Sequence, residues 1–175
     1  KLLGEHNRTN IMAAIAIGVA LDIPCNEIKD SLDGNVTISG RLEVKRLRKD
    51  IVLIDDSYNA NPSSMMRAID VLAEYKSNKI LVIGDMAELG NFAIKHHKDI
   101  AKYILEKKID VVFGVGKMTK LTIDILGDIG RWYASNSDLT IDLEKLLEKE
   151  CIVLIKGSRF MKMEQIVKDL ESRNA

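Results

Sequence analysis

The amino-acid sequence predicts an α/β fold: a mainly parallel sheet with helices on both faces, preceded by a short helical piece. Two patterns carry this reading. From Ile51 onward, apolar runs of strand length alternate with amphipathic stretches of helix length. Strands separated by whole helices have to return over a face of the sheet, which makes neighbouring strands parallel. Composition agrees, since 46% of the 175 residues are hydrophobic, 30% are charged and only 2 are proline. That is the profile of a globular α/β chain, not of a disordered or fibrous one.

The elements follow in order. Thr9 to Leu21 (TNIMAAIAIGVAL) is rich in small residues and apolar nearly all round, so it reads as a buried helix that ends before Pro24. Pro24 to Leu32 makes a second, short helix stopped at Asp33-Gly34. Gly40 to Asp50 alternates apolar and charged residues, as an edge strand or hairpin does. The regular beat then sets in. Strands are expected at 51–54 (IVLI), 79–83 (KILVI), 111–113 (VVF), 131–134 (RWYA) and 151–155 (CIVLI). Helices are expected at 63–75, 93–107, 118–126, 139–147 and 161–170. Right-handed βαβ crossovers would join them into a Rossmann-like sheet. The boundary between the two parts falls between Gly34 and Gly40, dividing the chain into residues 1–36 and 37–175.

Charge and cysteine usage exclude several classes. Lys+Arg and Asp+Glu are both 26, which argues against a nucleic-acid footprint and against a polybasic membrane anchor. The basic run from Lys45 to Lys49 reads as a solvated strand or hairpin face. Cys25 and Cys151 lack CxxC spacing and read as buried thiols, so a reducing cytoplasm fits. No apolar run has the length of a membrane span, and no insertion into a membrane is expected. The chain starts on Lys1 and enters directly on a polar motif, so it is expected to be a portion of something longer.

In parallel sheets ligands bind outside the carboxyl ends of the strands, which makes the polar strand ends informative. IVLI runs into Asp55, Asp56, Ser57, Asn59 and Asn61. Asn61-Pro62 suits a helix start, with Asn61 as N-cap and Pro62 at the first helical position. Capping does not explain two adjacent carboxylates, which repel unless a hydroxyl, cation or amine meets them. After CIVLI comes KGSR, whose Lys156 and Arg159 stand at the expected start of a helix. Cations there oppose the helix dipole, so an anionic ligand is expected and both charges should be exposed. After KILVI, GDMAELG places Asp85 and Glu88 at a second polar strand end. GVGK after VVF lacks P-loop spacing and reads as a tight turn, while Ser135-Asn136-Ser137 reads as capping. His96 and His97 lie in a helical pattern without metal-ligand spacing, and no metal site is expected. In GEHNRTN, His6, Asn7 and Asn10 exceed what capping needs. No Ser/His/Asp or Cys/His nucleophile emerges, and no catalytic residue is assigned.

At these residues the sequence resembles a known family. GEHNRTNIMAAIAIGVAL, SGRLE, IDDSYNANPSSM, VIGDMAELG and VLIKGSRFMKMEQIV resemble, in that order, the muramyl-peptide (Mur) ligases. Within them the chain is most similar to the branch that adds D-alanyl-D-alanine to a UDP-N-acetylmuramoyl-tripeptide in peptidoglycan precursor synthesis. The resemblance implies that residues 1–36 end a central ATP-binding domain and that 37–175 form the C-terminal Rossmann-like domain. It implies ATP as phosphoryl donor, with Mg²⁺ held mainly by parts of the parent chain not present here. It further implies that His6, Asn7 and Asn10 serve the adenine, Arg41 a phosphate or ribose, and Asp56 the ribose hydroxyls. Asn59, Asn61, Lys156, Ser158 and Arg159 would lie on the acceptor or phosphate side. The implied partners are the UDP-linked tripeptide, D-alanyl-D-alanine and the remaining domains of the parent. The chain alone is expected to be inactive, because none of its motifs supplies a phosphate cradle or a metal site.

Three other readings stand beside this one. A sister ligase, cyanophycin-synthetase-like or folylpolyglutamate-synthetase-like, is opposed by YNANP and KGSR. A non-catalytic nucleotide-binding or regulatory module could use the same fold. A nicotinamide-dependent oxidoreductase is weakened by the absence of GxGxxG after the first strand.

Overall fold

The computed structural model describes residues 6–33, 38–48, 51–147 and 150–173. The chain divides into two compact units, Lys1–Ile38 and Ser39–Ala175. The described part of the first unit is a pair of helices, α1 (His6–Ala20) and α2 (Cys25–Asp33). Gly18 lets them meet, since a Cβ there would come within 2.8 Å of Ile28 Cδ1. Contrary to the burial expected of α1, Met12, Ile17 and Val19 are exposed. A helix that is apolar all round needs cover on every side, and α2 offers one.

The second unit is a sheet ordered β1-β2-β6-β3-β4-β5, formed by β1 (Glu43–Arg46), β2 (Val52–Asp56), β3 (Asn78–Gly84), β4 (Val111–Val115), β5 (Gly130–Tyr133) and β6 (Cys151–Lys156). All pairings are parallel except β1 with β2, the expected hairpin at the edge. The last strand, β6, inserts between β2 and β3, so every one of its residues is buried. An apolar run without alternation is what such a central position demands.

Helices cover both faces. On one, Leu53, Val82, Phe113 and Val153 pack with Leu139 and Leu143 of α6 (Asn136–Glu144) and with Ile166 and Leu170 of α7 (Glu164–Arg173). The opposite parity, with Ile54, Leu81, Val112 and Leu154, is buried on the side of α3 (Pro62–Ala73), α4 (Ala93–Glu106) and α5 (Thr119–Leu126). Local chemistry sets the helix starts. Asn61 caps α3 in a reciprocal box with Ser64, and Pro62 occupies the first turn. Ser135 caps α6, which therefore begins three residues ahead of the expected Leu139. The largest departure follows β6, where a 3₁₀ turn spans Arg159–Met161, Lys162 adopts a left-handed conformation (φ 51°), and α7 begins only at Glu164. Cys151 is buried as expected, whereas Cys25 is exposed.

Candidate functional site

β2, β6 and β3 lie side by side and end together, which gathers three polar segments that are far apart in the chain. Asp56 and Lys156 are register partners at the ends of β2 and β6. Their side chains therefore leave the same face of the sheet. Lys156 Nζ donates to Asp56 Oδ2 at 2.6 Å and to the Asn59 carbonyl at 2.8 Å. Asp56 Oδ1 accepts from the Leu42 N–H at 3.2 Å. One ammonium thus joins the strand end to the loop that follows it.

This corrects the expectation that Lys156 is exposed. Its side chain is 3% exposed and that of Asp56 13%. Burial is the dominant influence on both groups. It pushes the Asp56 carboxyl up, with Lys156 and the Leu42 N–H pulling it back. It lowers the Lys156 ammonium, with Asp56 opposing and with Arg41 and Arg67 adding to the lowering. Neither cation stands at the first turn of α7: Lys156 lies ahead of a 3₁₀ turn that Arg159 opens, and α7 starts only at Glu164. Lys156 faces inward since its strand is central and its register partner is a carboxylate.

Arg159 is exposed, as expected, and its guanidinium lies 3.6 Å from Glu164. Arg41 is exposed too, and its Cζ sits 4.4 Å from the centre of the Tyr58 ring. The Arg159 Cζ lies 5.8 Å from the same ring. Gly40 makes the approach possible. It adopts φ +73°, accepts from the Tyr58 N–H at 3.0 Å, and a Cβ on it would meet that nitrogen at 3.2 Å. Sequence reasoning named both arginines but gave no role to Tyr58 or to Arg67. The signal for Tyr58 was available, as an aromatic set among polar residues at a strand end.

The other expected residues divide. Asn61 is committed to the cap of α3, its Oδ1 accepting from Ser64 N at 2.8 Å. Asn59 is exposed, with its Oδ1 on the Ala60 N–H. Ser158, expected to face substrate, is buried; its hydroxyl donates to the Ala60 carbonyl at 3.2 Å and accepts from the Ala87 N–H at 2.7 Å. It is a strut joining the loops after β2 and β3. Asp55 turns to the other face and accepts from the Ser57 N–H.

GDMAELG, read as a second polar end, is a latch. Asp85 is buried and accepts from Met118 N at 3.2 Å and Thr119 N at 2.7 Å, closing the start of α5. His97 Nε2 accepts from Met86 N at 3.3 Å while its Nδ1 faces the Ala93 carbonyl at 2.9 Å. The Nδ1–H tautomer satisfies both contacts. Among the described residues no group of three or more His, Cys, Asp or Glu could hold a metal ion. No helix among them is long and apolar enough to cross a membrane. The side chains of His6 and Asn7 lie outside the described residues; α1 begins at His6, and Asn10 is exposed on it.

Comparison with known proteins gives a consistent result. A family model described as "Mur ligase, glutamate ligase domain" matches residues 40–159. A UDP-N-acetylmuramoyl-tripeptide–D-alanyl-D-alanine ligase of Buchnera aphidicola is 39% identical over 171 residues, covering 97% of this chain and 37% of that protein. The ligase of the same description from Escherichia coli is 36% identical, with 97% of this chain and 38% of that protein covered. A crystal structure of MurF from Acinetobacter baumannii superposes with a TM-score of 0.87 at 30% identity, covering 98% of this chain and 38% of that one. The chain thus spans well under half the length of the relatives it matches.

Proposed function

Because the chain belongs to the Mur ligase family, through its glutamate ligase domain, we propose that it is the C-terminal region of an ATP-dependent ligase joining D-alanyl-D-alanine to a UDP-N-acetylmuramoyl-tripeptide. The observation that carries this reading is the cationic mouth at the ends of β2 and β6. There Arg41 and Arg159 flank Tyr58 in the open, and buried Lys156 holds Asp56 below them. Oxyanions are the chemistry such a mouth takes, and all three substrates of an acyl-phosphate ligation bring them.

In that reaction ATP phosphorylates the tripeptide carboxylate, the dipeptide amine attacks the acyl phosphate, and the tetrahedral intermediate expels phosphate to leave an amide. Arg41 pairs with nucleotide phosphate or ribose. Asp56 has lone pairs beyond those used by Lys156 and Leu42, and these accept from a ribose diol. Arg159 takes the dipeptide carboxylate, since its surface pairing with Glu164 is weak enough to exchange. Asn59 lies beside this mouth. Asn61, Lys156 and Ser158 act behind it, by fixing the loops and Asp56. His6, Asn7 and Asn10 serve the adenine on this reading. Residues 1–36 would then close a central ATP-binding domain and 37–175 would be the C-terminal one.

Mg²⁺ would neutralise phosphate charge in such a reaction. On this reading it is held mainly by the rest of the parent, as is the UDP-sugar; among the described residues no group of three or more His, Cys, Asp or Glu could hold a metal ion. The reaction belongs in the cytoplasm, where nucleotide-linked precursors and ATP meet. The chain alone is inactive on this reading.

An amide-ligation assay of the full-length parent tests it. D-Alanyl-D-alanine should drive tripeptide-dependent ADP release far better than single amino acids. Equal use of unrelated amines, or glutamate as the preferred amine, would place the chain with a sister ligase. Nucleotide binding with no ligation of any amine would leave a regulatory module.

A further inference from the structure

The segment SYNANP contains one aromatic residue, Tyr58. Tyr58 is 46% exposed at the centre of the mouth, yet its backbone is tied down: its N–H donates to Gly40. Two guanidiniums lie within cation–π reach of its ring, Arg41 at 4.4 Å and Arg159 at 5.8 Å. Those arginines come from distant parts of the chain, and Arg41 also has the charge of Lys156 as a near neighbour. Left to mutual repulsion and side-chain entropy they would spread into solvent.

The backbone beneath them is held in an unfavourable shape. Leu42 adopts φ 49° while its N–H meets Asp56, so the turn carrying Arg41 is set by tertiary contacts and not by its own preference. We infer that Tyr58 is a positioning residue, whose ring aligns Arg41 and Arg159 as a paired clamp for an oxyanion of the bound substrates. The inference rests on the ligase reading above for the identity of the oxyanion, a nucleotide phosphate or a dipeptide carboxylate. The ring's alignment of the arginines does not depend on that reading.

Two arms test it. In the 175-residue chain, the guanidinium Nε–H resonances of Arg41 and Arg159 should carry ring-current shifts that vanish in Tyr58→Leu and persist in Tyr58→Phe, which keeps the ring faces. Shifts unchanged in Tyr58→Leu would overturn the alignment itself, whatever the chain's function.

In the full-length parent, Tyr58→Leu should weaken one substrate about tenfold, with kcat less affected and the melting temperature near that of the wild type. Tyr58→Phe should restore it. A rise in the ATP KM would make phosphate the oxyanion; a rise in the D-alanyl-D-alanine KM would make it the carboxylate. Equal losses in the Leu and Phe variants would trace the effect to the hydroxyl and refute the clamp, as would a Tyr58→Leu enzyme with both KM values intact. A parent that ligates no D-alanyl-D-alanine would sink the functional reading while the resonance arm still decides the alignment. In that case pyrophosphate and acetate titrated into the chain replace the substrates. Tighter pyrophosphate or acetate binding in wild type than in Tyr58→Leu supports the clamp, and equal binding refutes it.

Discussion

Replacing Lys156 by methionine should unfold more of the chain's stability than any loss of packing explains. The side chain is 3% exposed and supplies donors to Asp56 Oδ2 and to the Asn59 carbonyl. Methionine keeps most of the volume, so the cavity contribution is small. What remains is a carboxylate 13% exposed with a single donor, Leu42 N, together with a carbonyl that has lost its partner. Breaking a buried pair from one side costs about 3–5 kcal/mol. The cost should depend on pH in a defined direction. Burial already raises Asp56 above its ordinary value of 3.8, and removing the ammonium raises it further. The folded state then holds the proton more tightly than the unfolded one, so stability is greatest in acid. It falls as pH rises from the ordinary value through the raised one. Hence Lys156→Met should be mildest near pH 4 and reach its full penalty at neutral pH. Adding Asp56→Asn should recover most of the loss, because the orphan charge is gone. Urea unfolding followed by the fluorescence of Trp132, the single tryptophan, measures all three variants. A Lys156→Met penalty below about 1 kcal/mol at neutral pH, or a double variant no better than the single one, would refute the reasoning.

Further expectations use the same fold. Gly116 sits at φ +114°, and a Cβ there would fall 2.3 Å from Asp85 Oδ1; Gly116→Ala should cost about 2 kcal/mol or more in urea unfolding. His97→Leu leaves the buried Met86 N–H without its acceptor and should cost about 1–3 kcal/mol by the same measurement. Tyr133 is pushed from 10.0 up to about 12, first by burial and then by its hydrogen bond to Asp142. Its contribution to stability should therefore be intact below pH 10 and lost as pH rises through the folded value. Tyr75 and Tyr103 are also raised, so tyrosinate absorbance should show a ring titrating at about 12, later than these, that Tyr133→Phe removes. In the parent enzyme, Asp56→Ala should raise the ATP KM more than it lowers kcat, by about 1.5–3 kcal/mol of binding.

Much of this protein follows from sequence alone. Strand and helix positions from Ile51 onward are legible because burial on a parallel sheet demands unbroken apolar runs, and IVLI, KILVI and CIVLI have them. The cap of α3 is legible because Asn61, Pro62 and Ser64 act within one turn. SYNANP, GDMAELG and KGSR could be placed at strand ends, and the family could be inferred from them in order.

Partnership could not be read, since it depends on which strands become neighbours. The return of β6 to the space between β2 and β3 sets Lys156 opposite Asp56, one hundred residues away. That contact turns an expected surface cation into a buried one. The same return makes Ser158 a strut to Ala60 and Ala87, and the path of the β3 end makes Asp85 a helix cap. Residue type declares that a group must find a partner. Only the tertiary arrangement decides which partner the protein itself supplies: Asp56 for Lys156, Glu164 and the Tyr58 ring for Arg159, and the Tyr58 ring for Arg41.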